Sequence, residues 1–265
     1  MSVYKTVFKA YFVTELLRNK GIVYGILGLM MWLALFIIPV SLFRPPNVSP
    51  EIASAYGFTA ILIFMIYSMA TWDWAWSLRY HMAQGLLDYV ITSGRSIYVL
   101  FIGIIPVSLI WVSIALGGAY LVLSLTSAPP ALTIVNPLYL VAGLLILMIV
   151  LFAHALILGG ATLSAGTAGP VLEILGWIIP IATGGLSPLV NMPRPLQVFA
   201  LMTPYSYPAE LIRYSLLNTP TLLNLYLTLS IGAVYSIVYL VIALKVMNRQ
   251  LKKILKEGVK TIGRY

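Results

Sequence analysis

The chain has 265 residues, 61% of them hydrophobic and 9% charged, with a net charge of +9 and no cysteine. A soluble protein carries about 25% charged residues because its surface must be solvated, yet residues 96–172 run for 77 positions without one Asp, Glu, Lys or Arg. These figures exclude a water-soluble domain and define an all-α integral membrane protein, while the missing cysteine excludes disulfides, thiolate metal sites and a Cys nucleophile.

A crossing needs ~20 apolar residues for ~30 Å of hydrocarbon, so the length admits about six spans and no soluble domain. Residues 1–20 come before the first apolar run. Tyr4, Val7, Phe8 and Tyr11 recur there at helical spacing with Lys5 and Lys9 on another face, which predicts an amphipathic helix lying in the membrane interface. The run 21–43 ends without a small-residue cleavage site and reads as a retained span, not a signal peptide. Ser49, Pro50 and Glu51 open the second span, 52–73, with an N-cap residue, a proline at the first helical position and an acid in the first turn. Trp72, Trp74 and Trp76 close it as an aromatic belt.

Residues 77–96, SLRYHMAQGLLDYVITSGRS, are too polar to span. Leu78, Met82, Leu86 with Leu87, and Tyr89 with Val90 fall on one helical face, predicting a short amphipathic helix along the membrane. Spans three and four, 97–125 and 137–165, are separated by Pro129, Pro130 and Pro137; small residues at 164–169 lead into span five, 170–187. Six prolines punctuate the apolar segment 184–220, which predicts helices that re-enter the outer leaflet. Glu210 and Arg213 stand there at i, i+3 and read as a mutually neutralising pair, since a lone charge at membrane depth costs at least ~2.5 kcal/mol. Span six, 221–245, runs into a tail, 245–265, with seven basic residues and one acid. In the tail Leu244, Met247, Leu251, Ile254 and Ile262 alternate with Lys252, Lys253, Lys256 and Lys260, as expected of an anchor on anionic headgroups or a contact with a cytoplasmic partner.

With six spans, 13 of the 16 basic residues fall on the side of the two termini, and only Arg44, Arg194 and Arg213 on the other. The positive-inside rule then places both termini in the cytoplasm.

Reactive side chains are few. The histidines are His81, in the 77–96 segment, and His154, near the middle of span four. Two histidines cannot make a zinc site or a set of axial haem ligands. His154 lies in an otherwise apolar run, 151–158, and reads as a neutral histidine satisfied by a neighbouring helix, with a proton relay or substrate ligand as the competing role. No two carboxylates share a span, and the phosphate-binding pattern G-x-x-x-x-G-K-[ST] is absent. No catalytic, cofactor-binding or metal-binding residue is therefore expected on the chain itself.

Two segments carry a resemblance. The run from Gly85 through Leu86, Leu87, Asp88, Tyr89, Val90, Ile91 and Thr92 to Ser93 resembles the cytoplasmic G-T-L-E-x-L-L-x-[ST]-P element of ABC type 2 permeases, the transmembrane subunits of ABC exporters. The segment before the last span is similar to the same family's small-residue turn, spaced prolines and Glu–Arg helix. Gly184, Gly185, Pro188, Pro193, Leu196, Gln197, Pro204, Tyr205, Glu210 and Arg213 stand in those places. The chain departs from the pattern just ahead of Gly85, where the family's usual acids are replaced by Arg79, Tyr80, His81, Met82, Ala83 and Gln84.

The resemblance implies a permease that forms its substrate path with a second permease chain in the cell membrane and borrows its energy from separate ABC ATP-binding subunits. ATP and Mg would sit on those subunits, and no nucleic acid is involved. Residues 77–96 would be the coupling helix, with Arg79, Gly85, Leu87 and Asp88 transmitting motion. The alternative is a carrier or channel without an ATPase, or a structural subunit of a membrane complex. A carrier should show polar or broken helices at mid-membrane, and here only His154, Pro106 and Pro180 qualify.

Overall fold

The computed structural model describes residues 3–42, 46–165 and 169–257, and every regular element among them is a helix. Helix α1 (Val3–Phe12) continues into a π-helical turn (Val13–Leu17) and is followed by α2 (Ile22–Leu42). Helix α3 (Pro50–Ser68) starts where the Ile52 N–H donates to Ser49 Oγ at 3.3 Å, with Pro50 placed where no N–H is needed. It passes through a π-helical segment (Met69–Ala75) into α4 (Trp76–Ala83), and a turn at Gly85 leads to α5 (Leu86–Thr92). Then come α6 (Tyr98–Thr126), α7 (Pro137–Ala165), α8 (Gly169–Ala182), a 3₁₀ turn (Leu189–Asn191), α9 (Arg194–Leu201), α10 (Ser206–Leu217) and α11 (Leu225–Glu257). Asn136 Oδ1 caps α7 by accepting from the Leu138 N–H at 3.0 Å, and Asn224 Oδ1 caps α11 by accepting from the Tyr226 N–H at 2.8 Å.

Among the described residues four helical stretches are long and apolar enough to cross a membrane: Pro50–Met82, Tyr98–Thr126, Pro137–Thr162 and Leu225–Lys256. The protein is thus an all-α membrane protein. Helix α2 is 21 residues long, and its stretch Ile22–Leu35 is a shorter apolar helix. Three expected elements differ in extent: the second span, read as 52–73, continues through the π-helical segment and α4 to Met82. The fifth apolar run is helical over only 14 residues in α8, about 21 Å at 1.5 Å per residue, because the chain turns at Gly184, whose φ is 81°. The sixth is longer than expected. Helix α11 runs for 33 residues, about 50 Å, so Lys245, Arg249, Lys252, Lys253 and Lys256 belong to the spanning helix itself. Residues 258–265, the centre of the 164–169 turn, Arg44 and the side chains of Arg79, Asp88 and Glu173 lie outside the described residues.

The chain divides into two compact units. The first, Met1–Ile66 with Tyr98–Ile134, is organised on α6. Leu33 and Ile37 of α2 pack with Ala119 and Leu123 of α6, and Trp32, Phe58, Ile61 and Met65 close round them. The Trp32 and Phe64 rings stack at 6.1 Å. Helix α1 also packs on α6, and its stripe rests on the protein as well as facing outward: Gly103 of α6 lies against Val7 and the backbone of Phe8, while Tyr4 is left half-exposed. A glycine at 103 is what allows that approach, since a Cβ there would collide with Val7.

The second unit, Tyr67–Ile97 with Val135–Tyr265, is organised on α7, which packs against α11, α10 and the π-helical segment. Leu147, Val150, Leu151, Ala153, Ala155 and Leu156 of α7 are fully buried. Helix α10 reaches α7 at Gly143, where an added Cβ would stand 3.0 Å from Ile212 Cγ1 and 3.1 Å from Leu211 Cβ. The Val135 N–H donates to the Ser215 carbonyl at 2.9 Å and ties the start of α7 to α10.

Candidate functional site

Three places in the second unit gather the polar side chains singled out by the sequence. The first is the 77–96 segment. It is not one helix but two, because Gly85 takes the left-handed conformation (φ 69°) that suits glycine and stops α4. The break resets the helical phase, so the expected single apolar face is split. Leu78 and Met82 of α4 and Leu87 of α5 turn inward, with Leu87 only 1% exposed, whereas Leu86 and Tyr89 are exposed at 40% and 75%. Leu87, expected to pack on a partner, is already covered by its own chain. The outward apolar groups are its neighbour Leu86 and Tyr89 on α5 and Tyr80 on α4. Hydroxyls of Thr92 and Ser93 donate back to the carbonyls of Tyr89 and Val90 at 3.3 and 2.8 Å, and Gly94 (φ 68°) ends the turn. His81 on α4 donates from Nδ1 to the Ser77 carbonyl at 2.5 Å.

The second place is the segment ahead of α11. Helix α10 has ten buried residues, among them Glu210 and Arg213. Each of the two charges has backbone partners. Arg213 Nη2 donates to the carbonyls of Gly184 and Gly185 at 2.7 and 3.1 Å, while Glu210 accepts the Leu222 N–H at 3.1 Å on Oε2. One helix thereby pins the turn after α8 with its cation and the lead into α11 with its anion. Burial pushes the Glu210 carboxyl above its ordinary range, opposed by the Leu222 N–H, the Arg213 guanidinium and the Leu189 N–H. Tyr207 and Tyr235 complete the frame by donating to the carbonyls of Leu201 and Met202 at 2.6 and 2.5 Å, and Gln197 Nε2 bridges the carbonyls of Leu189 and Met192 at 3.0 Å each.

The third place is His154. It is 4% exposed, and both ring nitrogens have partners: Nδ1 meets the Tyr205 hydroxyl at 2.8 Å and Nε2 meets Thr71 Oγ1 at 3.3 Å. Tyr205 in turn touches the Tyr239 hydroxyl at 2.8 Å, and its carbonyl accepts from the Tyr67 hydroxyl at 2.8 Å. The ring of Tyr205 stands edge-on to those of both His154 and Tyr239. Both hydrogen-bond contacts of His154 are with partners the sequence did not disclose. Thr71 lies in the π-helical segment, a distortion frequent at functional positions, and no composition signal marks it.

Among the described residues no three His, Asp or Glu side chains converge as a metal would require. A comparison with protein-family models finds no match, and a comparison with curated proteins finds no relative.

Proposed function

We propose that the chain is the permease subunit of an ATP-driven ABC exporter, built of six spans with both termini cytoplasmic and working as a pair of permeases on separate ATPase subunits. In this reading α2, 50–82, α6, α7, α8 with the turn after it, and α11 are the spans, and α9 and α10 re-enter from the outer side. The observation that carries the reading is the corner formed by α4, Gly85 and α5. A short helix follows directly on a spanning helix, is locked by its buried Leu87, and offers exposed Leu86 and Tyr89. A rigid apolar knob at the end of a span is what a coupling element needs, because movement imposed on it is passed to the span without being absorbed by a loose loop. The resemblance of residues 85–93 and 184–213 to ABC type 2 permeases supports the same assignment. ATP and Mg would be bound by the partner subunit.

The test is reconstitution. The chain is co-expressed with each ABC ATP-binding subunit of its source genome, purified, and placed in liposomes for measurement of ATP hydrolysis. A stable complex whose hydrolysis depends on the permease is the expected result. Failure of every such subunit to co-purify with a folded permease would overturn the assignment.

A further inference from the structure

Four side chains of the second unit form one hydrogen-bonded file through an apolar interior: Tyr239, Tyr205, His154 and Thr71. Tyr239 is half-buried on α11, and the other three are buried. At the inner end the Thr71 hydroxyl is directed at the Tyr67 carbonyl, one turn back, at 3.5 Å.

Hydrogen counting sets the direction of each bond. A neutral imidazole has one N–H and one bare nitrogen. A bare imidazole nitrogen is a stronger acceptor than a phenol oxygen, and a phenol O–H is the stronger donor, so Tyr205 donates to Nδ1. The ring proton then sits on Nε2 and is donated to Thr71, whose own hydroxyl proton goes to the Tyr67 carbonyl. Tyr239 donates to the Tyr205 oxygen, which leaves the half-buried Tyr239 oxygen as an acceptor. At the Thr71 end the file stops in a backbone carbonyl, which has no proton to hand on. It cannot conduct a proton from one side to the other.

We infer that His154 is a proton-binding site with a single opening, at Tyr239 on α11, and that its occupancy reverses the hydrogen-bond polarity of Tyr239. A proton arriving on the Tyr239 oxygen displaces that hydroxyl's proton to Tyr205, and the Tyr205 proton passes to Nδ1. The imidazolium then donates from both nitrogens. Tyr205 donates to Tyr239, and Tyr239 donates outward. No charge is left on either tyrosine, and every bond of the file survives with its direction reversed from Nδ1 to Tyr239.

Among the described residues the surroundings provide no second route; the side chain of Glu173, on the helix α8 whose Gly176 lies against Thr71, is outside them. The titratable groups against the imidazole are Tyr205 and, through it, Tyr67 and Tyr239. Asp73 belongs to the same π-helical segment as Thr71, two residues on. On α10, Glu210 and Arg213 hold loop backbone, and on α4, His81 bonds Ser77. Lys245 of α11 is six residues past Tyr239, about 9 Å along the helix.

The test uses the whole chain labelled with ¹⁵N-histidine in lipid nanodiscs, with His81→Asn to leave one histidine signal. At about pH 8, above the ordinary histidine value, the spectrum should show a protonated Nε2 and a bare Nδ1. Acidification should convert it reversibly to the imidazolium. In Tyr239→Phe, exchange of the ring protons with solvent should slow on the order of tenfold, the rate equivalent of one hydrogen bond. An Nδ1–H tautomer at the higher pH, or an imidazole that stays neutral wherever the protein stays folded, would overturn the inference, as would unchanged exchange in folded Tyr239→Phe. Should that variant not fold, the tautomer and the titration of the parent chain decide.

Discussion

Arg213 Nη2 lies 2.7 Å from the carbonyl oxygen of Gly184, 29 residues earlier. The contact depends on both residues: Gly184 turns with φ 81°, where an added Cβ would stand 2.7 Å from Leu189 Cδ2, and the turn aims two successive carbonyls at one guanidinium. Arg213→Gln removes charge-assisted bonds from a buried site and should cost about 2–3 kcal/mol of stability, read as a lower melting temperature in detergent. The loops are pinned separately, so adding Glu210→Gln should not restore what Arg213→Gln loses. Recovery in the double variant would mean that mutual neutralisation, not loop anchoring, is the main role of the pair.

The Glu210 carboxyl gives a pH dependence of definite sign. Its folded value is raised by burial above the ordinary one of 4.5, so the unfolded chain releases this proton first as pH rises. Its contribution is therefore fully present below the ordinary value, lost between that and the raised folded value, and constant above. Glu210→Gln has no such proton. The melting temperature of the parent relative to Glu210→Gln should fall as pH rises from the ordinary carboxyl value through the raised one; a relative rise would show that the Leu222 N–H and Arg213 outweigh burial.

Helix α6 contains two glycines that predict opposite outcomes. Gly103 is pressed against Val7 of α1, and Gly117 has nothing within 4 Å of an added Cβ. Gly103→Ala should loosen α1 and cost about 1–3 kcal/mol, seen as faster amide exchange over residues 3–12. Gly117→Ala should be neutral or stabilising by up to ~1 kcal/mol from helix propensity. Equal protection of α1 in both variants would refute the packing of α1 on α6.

The long helices were legible because an apolar window of some 20 residues has one economical structure in lipid, and Ser49 with Pro50 marked a real start. Extent was harder to read. Hydrophobicity continues past the end of α8, and the turn that stops it rests on the backbone of Gly184 and Gly185 meeting Arg213. On α11 the polarity changes at Lys245 while the helix goes on. The 77–96 segment misled because periodicity assumes one unbroken helix; Gly85, present in the sequence, breaks it and moves Leu86 and Leu87 to different environments. The partners of His154 were not legible at all, since Thr71 and Tyr205 are 83 and 51 residues away and the π-helical segment that presents Thr71 has no signature of its own.

The proposed six-span arrangement makes a labelling prediction that the absence of cysteine keeps clean. Cysteines placed one at a time at Asn47, Ser127 and Ser93 are treated with a membrane-impermeant maleimide. Asn47 is preferable to Ser49, whose hydroxyl caps α3. Asn47→Cys and Ser127→Cys should label in intact cells, and Ser93→Cys only after the membrane is opened. Labelling of Ser93→Cys from outside contradicts the assigned orientation.

Adjacent leucines separate folding from coupling. Leu87 is 1% exposed and Leu86 40% exposed, one residue apart on α5. Placing a carboxylate at the buried position strands a charge without a partner and should unfold the protein, at a cost of several kcal/mol. The same change at Leu86 meets solvent or a partner, so Leu86→Glu should leave the stability of the isolated chain within about 1 kcal/mol of its parent. If α5 is the coupling element, that folded variant should lose its ATPase subunit in pull-down, or retain it and fail to transport. Tyr89→Ala should weaken the complex in the same direction, because it removes the other large exposed apolar group of α5. A Leu86→Glu variant that binds the proposed ATPase subunit normally and transports at the parental rate would remove α5 from the coupling path, and with it the strongest structural support for the proposed ATP-driven exporter.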